Sequence, residues 1–222
     1  MGTAADDLLE IVRRELGTAV LCDALDQLGF RHQSPRLPLP RLTGAASAVL
    51  AGRCRTTLWV DMAHDDPAPY ELELRAVDGC LPGDVVVAAA GGSLRSGIWG
   101  DLLTTAARGR GCVGAVVDGA IRDVARIAAV GFPIHARGTS PYDSLHRQRV
   151  VDIDVTVEID GVACSAGDLI VADADGIVIV PRAAEADALH RALDKVRGES
   201  QVRQALARGM SASEAYRTYG IL

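Results

Sequence analysis

The sequence is almost without lysine. Of the 23 basic side chains counted as lysine or arginine, only Lys195 is a lysine. Schiff-base chemistry needs a lysine of lowered pKa inside a pocket, and Lys195 falls on the polar face of a C-terminal helical pattern. That class of aldolase or decarboxylase is therefore excluded. Aromatic residues make up only 4% of the chain, so Ala, Val, Leu and Gly must fill the core, which suits tight helix-on-sheet layers. The five cysteines (Cys22, Cys54, Cys80, Cys112, Cys164) are odd in number and contain no CxxC pair. They read as small buried fillers in a reducing compartment, with neither a disulfide framework nor a zinc site. No apolar run reaches about 18 residues, and no charged segment precedes a short apolar one. The expectation is a soluble cytoplasmic protein with no membrane partner. Net charge is −6 and no basic cluster occurs, so no nucleic-acid partner is expected. GxGxxG and Walker spacings are missing. The histidines stand at non-ligand spacings, and His64-Asp65-Asp66 reads as a polar loop.

What is present is apolar periodicity. Hydrophobic residues make up 49% of 222 residues, enough to bury a core, and one domain over 1–222 is expected. Helical spacing covers Asp6 to Leu16 and Ala19 to Leu28, with Thr18 as a cap, so 1–30 forms an N-terminal helical part. Ser34 to Pro40 is a proline-rich linker. Two strands are expected at Ala45 to Leu50 and Cys54 to Val60, broken at Ala51-Gly52. A helix follows over Pro67 to Val77. Val85 to Ala90, Cys112 to Val117 and Pro133 to Ala136 read as strands. Helices at Gly100 to Arg108 and Ile121 to Val130 separate them, giving an α/β core. Val151 to Ile159 alternates as one half-exposed strand before a hairpin turn at Asp160-Gly161. Leu169 to Ala172 and Ile177 to Val180 are short strands. Residues 183–222 form a C-terminal helical extension: a long helix from Ala183 to Ala207, then a short one from Ser211 to Tyr219. The long helix carries an apolar stripe that skips at Glu199, beside Gly198. Taken alone, Gly198 reads as a kink that swings Glu199 into solvent.

The stretch from Gly91 to Asp123 organises the chemistry. Asp101 and Asp123 each suit a helix N-terminal cap when taken singly. Arg122 beside Asp123, at the end of a buried strand, changes the reading, because ligands of open α/β sheets bind at such ends. Free amides from Gly100 to Leu103 form an anion site. An arginine fork grips a carboxylate, and a carboxylate can hold Mg²⁺ with waters left on the ion. Together they describe a pocket for a small oxo acid whose enolate is stabilised by metal and arginine.

Asp101, twenty residues, then Arg122-Asp123 resembles the pattern of the RraA-like family. Supporting stretches are Thr18 to Gly29, Pro82-Gly83-Asp84, Trp99-Gly100-Asp101, Val117 to Asp123, Gly131-Phe132-Pro133, Gly167-Asp168, Asp173 to Pro181 and Tyr219-Gly220. The family includes class II 4-hydroxy-4-methyl-2-oxoglutarate/4-carboxy-4-hydroxy-2-oxoadipate aldolases and the regulator of ribonuclease E activity A. The resemblance implies an α/β/α layered sandwich like the swivelling phosphohistidine domain, assembled as trimers or hexamers. It implies that Arg122 binds the carboxylate and enolate oxygen of a small 2-oxo acid. Asp123 would hold Mg²⁺ or Mn²⁺, and Asp101 would order the water that handles the proton. Gly100 and the amides near Leu102 and Leu103 would hold the carboxylate. Glu199 would approach from a neighbouring subunit, which reverses its solvent-facing reading. Activity would be retro-aldol cleavage to pyruvate or decarboxylation of oxaloacetate. The regulator branch implies instead a non-catalytic binding protein. Arg126 stands where the aldolase pattern places an acid, which leaves a diverged enzyme on the same scaffold open.

Overall fold

The computed structural model describes residues 4–221, so residues 1–3 and 222 of the expected domain span lie outside the described residues. Helices α1 (Ala4–Glu15) and α2 (Thr18–Gln27) come first. Then follow β1 (Arg41–Thr43), β2 (Leu50–Asp61), α3 (Glu71–Asp78), β3 (Asp84–Ala89), β4 (Gly97–Trp99) and α4 (Asp101–Gly109). The next elements are β5 (Gly114–Ile121), α5 (Val124–Ala129), β6 (Ile134–Thr139), β7 (Gln148–Ile153), β8 (Val157–Ile159) and β9 (Val162–Cys164). The chain closes with β10 (Leu169–Ala172), β11 (Ile177–Val180), α6 (Glu185–Ala207) and α7 (Ala212–Tyr219).

The main sheet runs β1-β6-β5-β3-β2-β10-β11, with β4 added to β5 and β7 to β2. Strands β2, β3, β5 and β6 are parallel neighbours, as are β4 and β5; the joins at β1, β7, β10 and β11 are antiparallel. The alternation of apolar residues assigns two faces. Val86, Ala88, Ala115 and Val117 pack with residues of α3, α4 and α5. Ala51, Leu169, Val171, Val178 and Val180 pack with α1, α2 and α6. Strand register places both sets on one face, because Ala51 and Trp59 share the parity of β2 that faces helices. The opposite face holds Leu50, Cys54, Val85, Val87, Val116, Ile170 and Ile179, closed by Val157, Ile159, Val162 and Cys164 of the β8–β9 hairpin. The result is an α/β fold with a curled mixed sheet. The helices lie on its outer face, and the hairpin plugs the inside instead of a second helical layer.

Several expected boundaries shift for physical reasons. Residues 44–48 form turns, and β2 runs unbroken through Ala51-Gly52. Gly52 is a close-approach position: a Cβ there would lie 2.4 Å from the Gly83 carbonyl oxygen. The alternating run from Val151 divides at Asp154, which takes a left-handed φ of 59° and pairs with Arg55 at 2.8 Å. One part pairs with β2 and the other with β9. Thr18 does not cap α2. Its amide and hydroxyl instead donate to the two carboxylate oxygens of Asp173, each at 2.7 Å. Burial opposes the charge on Asp173, but these donors and the Asp175 amide hold its carboxyl below the usual range. Helix α6 is continuous through Gly198, where Ile221 Cδ1 would lie 2.6 Å from a Cβ. Gly198 thus seats the C-terminal segment and makes no kink. Four cysteines are buried, Cys22 is partly so, and all are free thiols. Among the described residues no helix is long and apolar enough to cross a membrane.

Candidate functional site

Two adjacent parallel strands deliver the charged residues to one place. Trp99 of β4 pairs with Ile121 of β5, and the Arg122 amide donates to the Trp99 carbonyl at 2.8 Å. The chain leaves β4 into Gly100 and Asp101, and leaves β5 into Arg122 and Asp123. β5 is longer than expected, so Asp118-Gly119 lies inside the strand. The helix after it begins at Val124, which puts Arg122 and Asp123 in the connection. Asp123 has φ 58° and ψ 30°. Aspartate tolerates this left-handed conformation better than most residues, and it turns the carboxylate back toward Gly100.

Asp101 opens α4, and its amide donates to Asp123 Oδ2 at 3.3 Å. A Cβ on Gly100 would sit 2.8 Å from that same oxygen and 3.2 Å from Arg122 Nε. Only glycine leaves this approach open. The Trp99 indole donates to Thr104 Oγ1 at 2.8 Å, and that hydroxyl donates to the Gly100 carbonyl at 2.9 Å, so the turn is fixed from below. The first α4 turn also presents the amides of Leu102 and Leu103, which helix geometry leaves without intrahelical acceptors. The Leu102 side chain is 78% exposed, while Leu103 packs against the core.

Arg122 lies between two carboxylates. Its Nε is 3.7 Å from Asp123 Oδ2, and its Nη1 is 2.7 Å from Asp143 Oδ2. Asp143 Oδ1 accepts from the Tyr70 hydroxyl at 2.7 Å and from the Leu145 amide at 2.8 Å. Burial opposes the charge on Asp143, but Tyr70, Leu145 and Arg122 together hold its carboxyl below the usual range. Burial and the bond to Asp143 push the Tyr70 hydroxyl up to about 12. Glu73, three residues after Tyr70 and in α3, is only 8% exposed, and its Oε2 has no hydrogen-bond partner. Burial, with repulsion from Asp143, lifts its carboxyl to about 8 against the pull of Arg122. Tyr70, Glu73 and Asp143 escaped the sequence reading. They come from α3 and its approach and from the loop after β6, and no spacing links them to Arg122.

Arg126 points at the site: its Nη1 lies 3.6 Å from Asp101 Oδ2, with the side chain 79% exposed. Glu199 stands apart within the chain. It lies on α6 between Lys195 and Arg203, 3.8 Å from each. Thus Gly100, Asp101, Arg122 and Asp123 converge, with Leu102 and Leu103 beside them, and Glu199 does not join them in one chain.

The class is that of an α/β protein whose curled mixed sheet brings an arginine and two carboxylates together at the ends of adjacent parallel strands. The chain belongs to the RraA-like family, described as Aldolase/RraA, whose profile matches residues 18–179. A protein of Halalkalibacterium halodurans, provisionally named 4-hydroxy-4-methyl-2-oxoglutarate aldolase, is 37% identical over 143 residues, 64% of this chain and 68% of its own length. One of the same provisional name from Halorhodospira halophila is 38% identical over 166 residues, 74% and 95% of the two lengths. The crystal structure of Streptomyces coelicolor RraAS2, described as an unusual member of the RNase ES inhibitor RraA protein family, has a TM-score of 0.79 at 32% identity. It covers 91% of this chain and 98% of that one.

Proposed function

We propose that the protein is a divalent-metal-dependent carbon–carbon lyase acting on small 2-oxo acids. The observation that carries this reading is the convergence of Asp101, Arg122 and Asp123 around the gap left by Gly100. Its support beyond this chain is the similarity to the two proteins provisionally named as aldolases.

The donor set suits a hard ion. Asp123 offers a partly exposed carboxylate, and Asp101 stands next to it. Among the described residues no group of three or more His, Cys, Asp or Glu is placed to hold a metal ion by itself, so most of the ion's ligands would be water. A few carboxylate oxygens with the remainder water is the habit of Mg²⁺, and Mn²⁺ accepts similar ligands. Asp123 would hold the ion, which when bound supplies Lewis-acid stabilisation of developing negative charge.

The chain's own groups do the rest. Arg122 grips the substrate carboxylate and the oxygen that becomes the enolate. The amides of the first α4 turn, at Leu102 and Leu103, hold the carboxylate, with Gly100 giving room for it. Asp101 orders the water that moves the proton. In retro-aldol cleavage the C4 hydroxyl loses its proton and the C3–C4 bond breaks. Its electrons enter the enolate, C4 departs as the carbonyl carbon of the second product, and C3 is then protonated to give pyruvate. With oxaloacetate the same C3–C4 bond breaks to release carbon dioxide, and the same enolate is protonated.

Glu199 would complete the site from a neighbouring copy in a trimer or hexamer. Mixing tests this. Glu199→Ala and Arg122→Ala are each expected to be inactive alone. Refolded together, they recover about a quarter of the active sites, since a shared interface combines the intact halves. No recovery, with oligomers formed, contradicts the sharing. Arg126 adds a cation beside Asp101 and favours substrates with a second carboxylate. Arg126→Ala is expected to raise KM for oxaloacetate roughly three- to fivefold, the scale of an exposed charge contact. KM for a monocarboxylic 4-hydroxy-2-oxo acid should stay unchanged; equal shifts for both contradict this role.

A second reading, a non-catalytic ribonuclease-inhibitor-like protein, draws on the likeness to RraAS2. Capture of a ribonuclease by a protein that neither binds Mg²⁺ nor releases pyruvate would favour it.

A further inference from the structure

We propose that the cavity beneath the proline-rich segment at the β1 edge is a second ligand site, which takes a small hydroxylated carboxylate through Arg41 and His135. The cavity holds about 500 Å³ and lies between residues 34–46 and the turn at 173–177. It shares no lining residue with the cluster of Gly100, Asp101, Arg122 and Asp123. The inference therefore stands or falls independently of the lyase reading.

Strand register brings the two polar groups together. Arg41 of β1 lies directly opposite His135 of β6, so both side chains leave the same face of the sheet. His135 also pairs with Val116, a residue of the inner core, which makes that face the inner one. The segment above them is pinned along its length. The Ile179 amide donates to the Gln33 carbonyl at 2.8 Å, and Gln33 Nε2 donates back to the Ile179 carbonyl at 2.8 Å. The Leu37 amide donates to Asp160 Oδ2 at 2.6 Å. The Pro40 carbonyl accepts from the Ala136 amide at 3.1 Å. Pro35, Pro38 and Pro40 fix φ between these anchors, and with Leu39, Leu42 and Ile177 they supply apolar lining. The space is thus formed before a ligand arrives, which lowers the ordering cost of binding.

Each polar group has unused capacity. Arg41 is half-buried and donates from Nη1 to the Ala45 carbonyl at 2.6 Å and from Nη2 to the Ala172 carbonyl at 3.3 Å. Both acceptors are neutral, and the remaining guanidinium N–H groups are left over. Among the described residues Arg41 forms no ion pair. Asp173 acts on its charge only from further away, and the Asp173 oxygens already accept from Thr18 and from the Asp175 amide. A half-buried cation answered by carbonyls alone favours an anion. His135 is 1% exposed and borders the same cavity. Its Nδ1 lies 3.0 Å from the Leu39 carbonyl, which can only accept, so Nδ1 carries the proton. Nε2 is then a bare acceptor, and it has no partner. Burial lowers the pKa of the ring, which keeps this neutral form at pH 7. A carboxylate suits Arg41, a hydroxyl supplies the donor that His135 Nε2 lacks, and a hydroxy acid with an apolar body does both. Asp173 and Asp175 line the same cavity and oppose a polyanion such as a nucleoside polyphosphate.

The test uses the full chain and a set of probes: 4-hydroxybenzoate, which carries both groups, benzoate, which lacks the hydroxyl, and 4-hydroxybenzyl alcohol, which lacks the carboxylate. Affinities are measured by calorimetry at neutral pH. The His135 ring nitrogens are followed by long-range proton–nitrogen NMR, with the signals assigned through His135→Gln. 4-Hydroxybenzoate is expected to bind at least tenfold more tightly than the alcohol, and Arg41→Gln to weaken it at least tenfold, the scale of a hydrogen bond to a charged group. Saturation with 4-hydroxybenzoate should move the His135 Nε2 signal, and saturation with benzoate should not. Arg122→Ala should leave the Arg41-dependent binding in place. Equal affinity for the acid and the alcohol in the wild type overturns the site, and that comparison holds even where Arg41→Gln fails to fold. Binding lost in Arg122→Ala and kept in Arg41→Gln also overturns it, by placing the anion at the other site. No binding of 4-hydroxybenzoate at millimolar concentration, or an Nε2 signal unmoved at saturation, overturns it as well.

Discussion

Arg122→Ala is expected to lower pyruvate release by at least 10²- to 10³-fold, the scale of losing a preorganised group aimed at developing charge. The expectation follows from how the arginine is held. Its Nη1 is engaged by Asp143 at 2.7 Å and its Nε faces Asp123 at 3.7 Å. The guanidinium is oriented before any ligand arrives, so little ordering remains to be done on binding. Alanine removes the cation and leaves Asp123 and Asp143 without it, so metal retention and thermal unfolding must be measured alongside the rate. Arg122→Lys separates charge from shape. An ammonium keeps the charge but cannot span Asp143, the carboxylate and the enolate oxygen together. It should recover less than a tenth of the activity, an estimate that takes the planar fork as the working feature. Full recovery by lysine would mean that net charge alone matters at this position.

Glu73→Gln is expected to stabilise the protein at pH 8 by on the order of 3–5 kcal/mol, at about 1.4 kcal/mol per unit of pKa displacement. Burial and Asp143 place the folded-state carboxyl at about 8, far above an unfolded glutamate. The folded chain therefore holds a proton that the unfolded chain has released. The stability associated with that proton is fully present below the unfolded pKa, drains as pH rises, and is gone above about 8. Glutamine does not titrate. The two proteins should have similar urea midpoints near pH 4, diverge through neutrality and run parallel above pH 8. Stability curves that stay parallel from pH 4 to 9 would show that Glu73 ionises normally. That a carboxyl with such a cost feels the charges of Asp143 and Arg122 fits the general pattern in which perturbed acids cluster at working sites.

Much of this architecture was legible because its periodicities are short-range. A continuous apolar run marked β3, glycine turns marked the starts of β10 and β11, and Asp160-Gly161 marked the hairpin, with both residues at positive φ. The Asp101 and Arg122-Asp123 positions were legible because each follows a recognisable strand or glycine turn. What they share, the β4–β5 pairing, is a tertiary fact. β4 is only three residues long and hides in a glycine-rich stretch. The reading failed where one residue type serves two purposes. Gly52 looks like a strand break and is a close-approach point inside β2. Gly198 looks like a kink and is a seat for Ile221. Asp154 sits in phase with an alternating strand, yet its backbone turns left-handed and divides the strand. The Tyr70–Asp143 pair beside Arg122 had no signal in spacing, since its two members lie 73 positions apart in the chain.

The most direct measurement is pyruvate release from oxaloacetate and from a 4-hydroxy-2-oxo acid by the purified wild-type protein, with Mg²⁺ and after chelation. Release well above the uncatalysed rate with Mg²⁺, lost on chelation and restored by added metal, is the predicted result. A rate equal to that of buffer with Mg²⁺ alone, for both substrates, would contradict the assignment of this site as a lyase.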